Sequence, residues 1–230
     1  MFWKIIKEDL SQPKKQDPAY SGFLDVVFNY PGVWALINHR FAHFFFTHDL
    51  KWLGRIISGI SRILTAVDIH PGATIGRNVF FDHATGIVIG ETAVVGNNVL
   101  IYQGVTLGGV SIEKGKRHPN IEDGVVVGAG AKILGNITIG ENSKVGANSV
   151  VVKDVPANCT AVGIPAKILG TCSLDPLAHN KIPDISKELF LYLIERMSVL
   201  ECALLKDDKD TAQKDAKLKE VYESYINSLK

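Results

Sequence analysis

Apolar positions along this chain change period near residue 66. Through residues 1–66 they recur at helical spacing. Pro31 opens one pattern at a first-turn position, and Val33, Leu36, Ile37, Phe41 and Phe44–Phe46 follow it. A second pattern runs through Leu53, Ile56, Ile57, Ile60, Ile63 and Leu64. Asp17-Pro18 reads as a turn or a helix start. From Ile69 neither 3.6 nor 2 describes the spacing. Ile69, Ile75, Phe81 and Ile87 are six apart; so are Ile89, Val95, Ile101 and Leu107; so are Ile121, Val127, Ile133, Ile139, Val145 and Val151. Glycine directly follows seven of these, at Gly76, Gly90, Gly96, Gly108, Gly128, Gly140 and Gly146, and small or β-branched residues sit four positions after most of them.

A six-residue repeat predicts a parallel β-helix. Each hexad makes one short strand and one turn. The key aliphatic points inward onto its counterpart one coil away, and Gly or Asn supplies the positive φ of a tight corner. Three hexads close a triangular coil of eighteen residues. Residues 69–160 then make about five coils, a prism roughly 24 Å tall at the ~4.8 Å spacing of parallel strands. Ordinary sandwich strands do not hold such a phase. Two interruptions matter. A two-residue offset separates Ile87 from Ile89. Between Leu107 and Ile121 the segment GGVSIEKGKRHPN leaves the repeat and carries Lys114, Lys116, Arg117 and His118. A loop extruded from a solenoid is a place for function. The expected organisation is an N-terminal helical region 1–66, a β-helix 67–168 with an extruded loop 108–120, and a linker with helical tail 169–230. In the tail, Asp184 or Ser186 caps a helix to about Leu205 whose seam is Phe190, Leu193, Met197, Leu200 and Leu204. A final helix carries Leu218, Tyr222, Tyr225 and Leu229.

Composition narrows the class. Lys+Arg is 25 and Asp+Glu 24, a net charge of +1, which speaks against a nucleic-acid binder. At 46% hydrophobic and 21% charged residues the 230-residue chain is not wholly disordered. Cys159, Cys172 and Cys202 show no metal-binding spacing and fit a reducing compartment. The N-terminal MFWKIIKEDL has no apolar signal core, and the greasiest stretch is broken by His39, Arg40 and His43, so the expectation is a cytoplasmic protein with no membrane span. His39 and His43, four apart on a helix, share a face. Packing or an interface explains them better than a metal, since no third ligand is evident.

DIHPGATIG (68–76), DHATGIVIGETA (82–93), GVTLGG (104–109), KRHP (116–119) and GAGAKILGNITIG (128–140) resemble the serine acetyltransferases of cysteine biosynthesis, from about Asp17 to Gly170. The resemblance implies a left-handed parallel β-helix with N-terminal α-helices and a C-terminal α-helical tail. It implies acetyl transfer from acetyl-CoA to the hydroxyl of L-serine, with no metal. The residue chemistry points the same way. A serine hydroxyl needs a general base to attack a thioester, and histidine, with a reference pKa of ~6.5, suits the task. His83 is the candidate base. Asp68, fifteen residues earlier, is expected to stack near it on the neighbouring coil and orient the imidazole. His118 matches a second active-site histidine. Arg117 offers a fork for the substrate carboxylate, and Asp17 and Asp82 offer charge for its ammonium. Acetyl-CoA is expected in a groove between prisms, near Gly109, Ala129 and Ala147, where small residues admit close approach. Lys144 and Lys167 are placed to meet its phosphates. The family implies a homotrimer with shared active sites. The long N-terminal domain that pairs trimers is mostly missing here, which favours a trimer over a hexamer. Cysteine is implied as a feedback inhibitor.

Other readings differ by residue. A metal-dependent hydratase of the γ-class carbonic anhydrase kind needs a second histidine five residues from His118, where Glu113 and Asp123 stand. A scaffold prism needs neither DHATG nor a basic loop bearing His118. The choice among serine, phosphoserine and homoserine stays open. In many members of the family the C-terminus ends in isoleucine and inserts into O-acetylserine sulfhydrylase. This chain ends Ile226-Asn227-Ser228-Leu229-Lys230, and a terminal Lys is costly to desolvate in an apolar end pocket. No tight tail-inserted complex is expected. Calorimetric titration with the sulfhydrylase should show none; submicromolar binding lost on deleting Ile226–Lys230 would overturn this.

Overall fold

The computed structural model describes residues 2–169 and 190–197. Four helices come first: α1 (Phe2–Gln16), α2 (Phe23–Asn29), α3 (Pro31–Thr47) and α4 (Lys51–Thr65). Pro31 does open α3, and α4 ends on Ala66 in the left-handed region at φ 55°. Apolar spacing does not pick out α1, because its inward face is largely polar: Ile6, Asp9, Gln12 and Pro13. Asp17-Pro18 is a turn. The Asp17 amide donates to Pro13 O (2.9 Å) and closes α1, while Asp17 Oδ1 accepts from the Ala19 amide (2.7 Å).

The β-helix follows in coils. The first holds β1 (Asp68–Ile69), β2 (Thr74–Ile75) and β3 (Phe80–Asp82); the second β4 (Val88–Ile89), β5 (Val94–Val95) and β6 (Leu100–Tyr102). The third holds β7 (Thr106–Gly108), β8 (Asn120–Ile121) and β9 (Val126–Val127). The fourth holds β10 (Lys132–Leu134), β11 (Thr138–Ile139) and β12 (Lys144–Val145). β13 (Val150–Val151) and an isolated bridge at Val155 begin a fifth, which ends in β14 (Thr160–Gly163) and β15 (Ala166–Leu169). Parallel pairing builds three faces, β1-β4-β7-β10-β13, β2-β5-β8-β11 and β3-β6-β9-β12-β14, the last closed by antiparallel β15.

Register is carried by the repeat residues. Ile89 lies beside Leu107 and Ile121 beside Ile139, eighteen residues on in each case. Ile69 lies beside Ile89, twenty on, and Val95 beside Ile121, twenty-six on, so each interruption is absorbed within one coil. Ile87, Ile89, Ile101, Leu107, Ile121, Ile133, Ile139 and Val145 are fully buried and form one column of core. At corners where the backbone turns left-handed, Asn78, Asn98, Asn142, Asn148 and Asn158 recur with φ of 55–58°.

Polar clamps fix the helices to the first coil. Arg40 of α3 bonds Asp9 of α1 (Nε to Oδ2, 3.1 Å) and donates to the carbonyls of Ile75 and Gly76 beside β2. Arg77 pairs with Glu8, and Gln12 reaches Asn78 (3.1 Å). His43 Nδ1 meets Pro71 O (2.8 Å), and Ser58 donates to Ile69 O (2.6 Å). Burial pushes the Asp9 carboxyl up, and the Arg40 hydrogen bonds and charge oppose it. His39 is buried and held well below the ordinary histidine range by that burial. Among the described residues no helix is long and apolar enough to cross a membrane. Residues 190–197 are helical, within the first helix expected of the tail. The rest of that helix, and the final one, lie outside the described residues.

The Asp9–Arg40 pair is nearly inaccessible, at 0% and 10% side-chain exposure. Arg40→Leu strands a buried carboxylate and two carbonyls, and should cost about 3–5 kcal/mol in urea unfolding. The double variant Asp9→Leu, Arg40→Leu should recover part of it. A loss under about 1 kcal/mol for Arg40→Leu would show that the clamp is not what holds the helices.

Candidate active site

The two extra residues of the first coil fall between β3 and β4. There His83, Ala84 and Gly86 take φ of 56°, 58° and 77°, and the chain bulges at the corner. Ala84 is buried beneath α3, whose Gly32 lies against Phe81 and Ala84 so closely that a Cβ would sit 2.5 Å from Phe81 O. The corner is thus braced from within while the His83 side chain projects outward, 76% exposed. Its Nε2 stands 4.0 Å from Asp82 Oδ1. Burial pushes the Asp82 carboxyl up; His83 draws it down and Asp17 adds to the upward push. Asp17 Oδ2 accepts from Tyr30 OH (2.6 Å), and the Tyr30 and Tyr102 phenols are both raised, chiefly by burial. Asp17, Asp82, Tyr30 and Tyr102 therefore make an acidic, hydroxyl-bearing cluster beside His83, suited to a cation.

Small residues stand above this corner. Asp82 registers with Tyr102, so His83 has Gln103 above it on the next coil. The Gly130 amide bonds Gln103 O and the Asn148 amide bonds Ala129 O, each at 2.8 Å. The register carries on from Ala129 to Ala147. From His83 to Ala147 is three coil steps, about 14 Å. Lys144 lies on β12 and Lys167 on β15, in the sheet that borders this corner.

A second cluster lines a cavity of about 480 Å³ on the β1-β4 face. Asp68, His70, Glu91, Arg117 and His118 contribute from the β-helix, and Arg55 and Arg62 from α4. Arg117 pairs with Glu91 at 2.5 Å, and this holds the Glu91 carboxyl below its ordinary range. His118, from the loop between β7 and β8, lies flat over Gly90: a Cβ there would meet its Cδ2 at 2.0 Å and Nε2 at 2.1 Å. Thr92 anchors the loop. Its Oγ1 accepts from the amides of Arg117 (3.1 Å) and His118 (3.2 Å), and its carbonyl accepts from Lys116 Nζ (2.6 Å). Its own amide and hydroxyl face His118 Nδ1 at 3.2 and 2.9 Å. Burial, then Arg117, push the His118 ring below the ordinary histidine range.

In one protomer these clusters do not meet. His83 stands where the chain enters the β1-β4 face, and His118 packs where it leaves. The expectation that Asp68 stacks on His83 within one chain is corrected. The first coil holds twenty residues, so Asp68 lies beside Val88 and its carboxylate pairs with Arg62 (3.4 Å). Gly109 lies beside the second cluster: a Cβ built there would stand 3.2 Å from both Arg117 O and His118 Nε2. Sequence reasoning missed Tyr30, Tyr102, Glu91, Thr92, Gln103, Arg55 and Arg62. Glu91 and Thr92 lie inside the motif 82–93, next to Gly90, which was the available signal.

Comparison with known proteins agrees with this architecture. The family model "Bacterial transferase hexapeptide (six repeats)" matches residues 118–153. The serine acetyltransferase of Synechococcus elongatus is 48% identical over 202 residues, 87% of this chain and 83% of that one. The chain belongs to the serine acetyltransferases. Among solved structures, soybean serine acetyltransferase complexed with serine superposes with a TM-score of 0.70 at 48% identity, over 73% of this chain and 69% of that one. Serine acetyltransferases in complex with cysteine (TM-score 0.71, 43% identity, 74% and 70% covered) and with CoA (0.68, 42%, 73% and 69%) have the same fold. In this acetyltransferase the two side-chain clusters lie at the two corners where the repeat is interrupted.

Gly90 has an ordinary backbone φ, so alanine there acts only by displacing the His118 ring. Gly90→Ala should lower acetyl transfer at least about tenfold while circular dichroism stays unchanged, because ångström misplacement in a site is that costly. Wild-type turnover in Gly90→Ala would show that the His118 position is not needed.

Proposed function

We propose that this enzyme acetylates the hydroxyl of L-serine with acetyl-CoA by direct transfer, giving O-acetylserine and CoA for cysteine biosynthesis, with His83 as general base. The observation that carries the reading is the split site: an exposed histidine beside an acidic cluster at one corner, and an arginine and histidine at another. Both belong to a chain whose relatives bind serine, cysteine and CoA. The acidic cluster of Asp17 and Asp82 suits the ammonium of serine, and Arg117 its carboxylate. Each half-site lacks what the other supplies, so two protomers are needed, and a heterologous contact of this kind closes into a ring. A homotrimer is the reading. Asp68 then reaches a His83 only across that interface, where it would orient the ring.

The step balances simply. The serine oxygen attacks the thioester carbon as His83 takes its proton. The tetrahedral intermediate expels the CoA thiolate, which recovers that proton from the imidazolium. Phosphoserine has no free hydroxyl and is not an acceptor in this chemistry. CoA is placed along the corner above His83, where Ala129 and Ala147 leave a shallow ledge, with its phosphates toward Lys144 and Lys167. Cysteine offers the same ammonium and carboxylate with a thiol in place of the hydroxyl, and competes with serine for one site.

His83→Ala should cut kcat by about 10²-fold or more and leave the KM for acetyl-CoA unchanged, with Asp68→Asn costing less. A tenth of wild-type activity remaining would exclude His83 as base. Mixing tests the sharing. Co-expressed His83→Ala and Arg117→Ala chains, each inactive alone, should regain activity, because about one site in four in a randomly assorted ring is intact. No recovery in verified hybrid trimers would place the whole site within one chain.

A further inference from the structure

We propose that Thr92 is the positioning residue that holds His118 as the neutral imidazole with its proton on Nε2, so that His118 serves serine only as a hydrogen-bond donor and never as a base. The proposal rests on the reading that His118 faces the substrate, and it divides the labour of the two histidines.

The argument is one of donors and acceptors. A backbone amide only donates. The Thr92 amide lies 3.2 Å from His118 Nδ1, so that nitrogen presents its lone pair. Thr92 Oγ1 is already the acceptor for the amides of Arg117 and His118. Its hydroxyl proton is left for the third neighbour, His118 Nδ1 at 2.9 Å. Two donors on one ring nitrogen leave Nε2 as the protonated position. A proton on Nδ1 would oppose the amide head-on and force the hydroxyl to turn away. Nε2 lies over Gly90, which lines the cavity together with His118, and beside Gly109.

The surrounding charges favour the neutral form. Arg117 and Lys116 lie on the same loop, and Arg55 and Arg62 of α4 line the same cavity. His70 shares that cavity too. Glu91 and Asp68 are the acids there, and Glu91 is engaged by Arg117 while Asp68 pairs with Arg62. His83 has no such partners: it stands exposed beside Asp82. The two histidines are thus held differently, one exposed to solvent and the other bonded at Nδ1.

The lock is read directly in full-length enzyme labelled with ¹⁵N-histidine, with His118 assigned from a His118→Gln sample. Wild type should show Nδ1 unprotonated and Nε2 protonated from pH 8 to below 6.5. Thr92→Val keeps the shape and removes the hydroxyl. It should raise the pH at which His118 takes a second proton, and raise the KM for serine about tenfold without changing that for acetyl-CoA. Thr92→Ser should restore the spectrum and bring the serine KM within about threefold of wild type. A wild-type ring carrying its proton on Nδ1, or charged at pH 7, overturns the lock even if no Thr92 variant folds. So does a Thr92→Ser variant as impaired as Thr92→Val. If the spectra show the lock but Thr92→Val leaves serine kinetics untouched, His118 does not face serine, and the functional half of the proposal falls while the tautomer stands.

Discussion

Everything in this chain depends on one inward aliphatic side chain lying on the next, one coil up. Parallel strands of two or three residues have too few hydrogen bonds to stand alone. Their stability comes from the continuous column of Ile87, Ile89, Ile101, Leu107, Ile121, Ile133 and Ile139, each wholly removed from water. The column tolerates no error in phase, since a slip of one residue turns the buried set outward. Extra residues are therefore confined to corners. Two corners take them, with two residues before β4 and eight between β7 and β8, and the two candidate clusters lie there.

The repeat was legible because it is one-dimensional: a period read along the chain becomes a column in space. The residues on the interruptions were legible too. His83 and Asp82 share the first bulge, and Arg117 and His118 share the extruded loop. Partnerships between coils were not legible. Asp68 and His83 are fifteen apart, close to the nominal coil, yet the coil that joins them has twenty residues, and Val88 takes the place beside Asp68. The bulge that presents His83 is what breaks the count. Thr92 escaped notice for a related reason. It carries no charge and sits at a common turn position, and its role exists only because a loop more than twenty residues later folds back over it.

The helical region shows the opposite balance. Its apolar spacing located α3 and α4 but not α1, which docks through Asp9, Gln12 and Glu8 rather than through a greasy stripe. Polar docking is directional where apolar packing is not. Arg40 reaches the backbone beside β2, and Gly32 brings α3 into contact with Phe81 and Ala84. The seating of the helices and the shape of the His83 bulge are therefore coupled.

Both ends of the stack are stopped by something that is not a coil. Among the described residues, helices bear on β1 and β3 at one end, and antiparallel β15 covers the edge of β14 at the other. The number of storeys is thus set by the two stoppers and not by the repeat, which would accept another block of eighteen residues at any corner without a change in lateral pairing. Such a block placed between the coil of His83 and that of Lys144 would move them apart by about 4.8 Å. On the proposed path of CoA, that separation must equal the reach of the pantetheine arm from thioester to phosphate. If CoA follows that path, the prism is a ruler and the count of its storeys is set by the length of the cosubstrate.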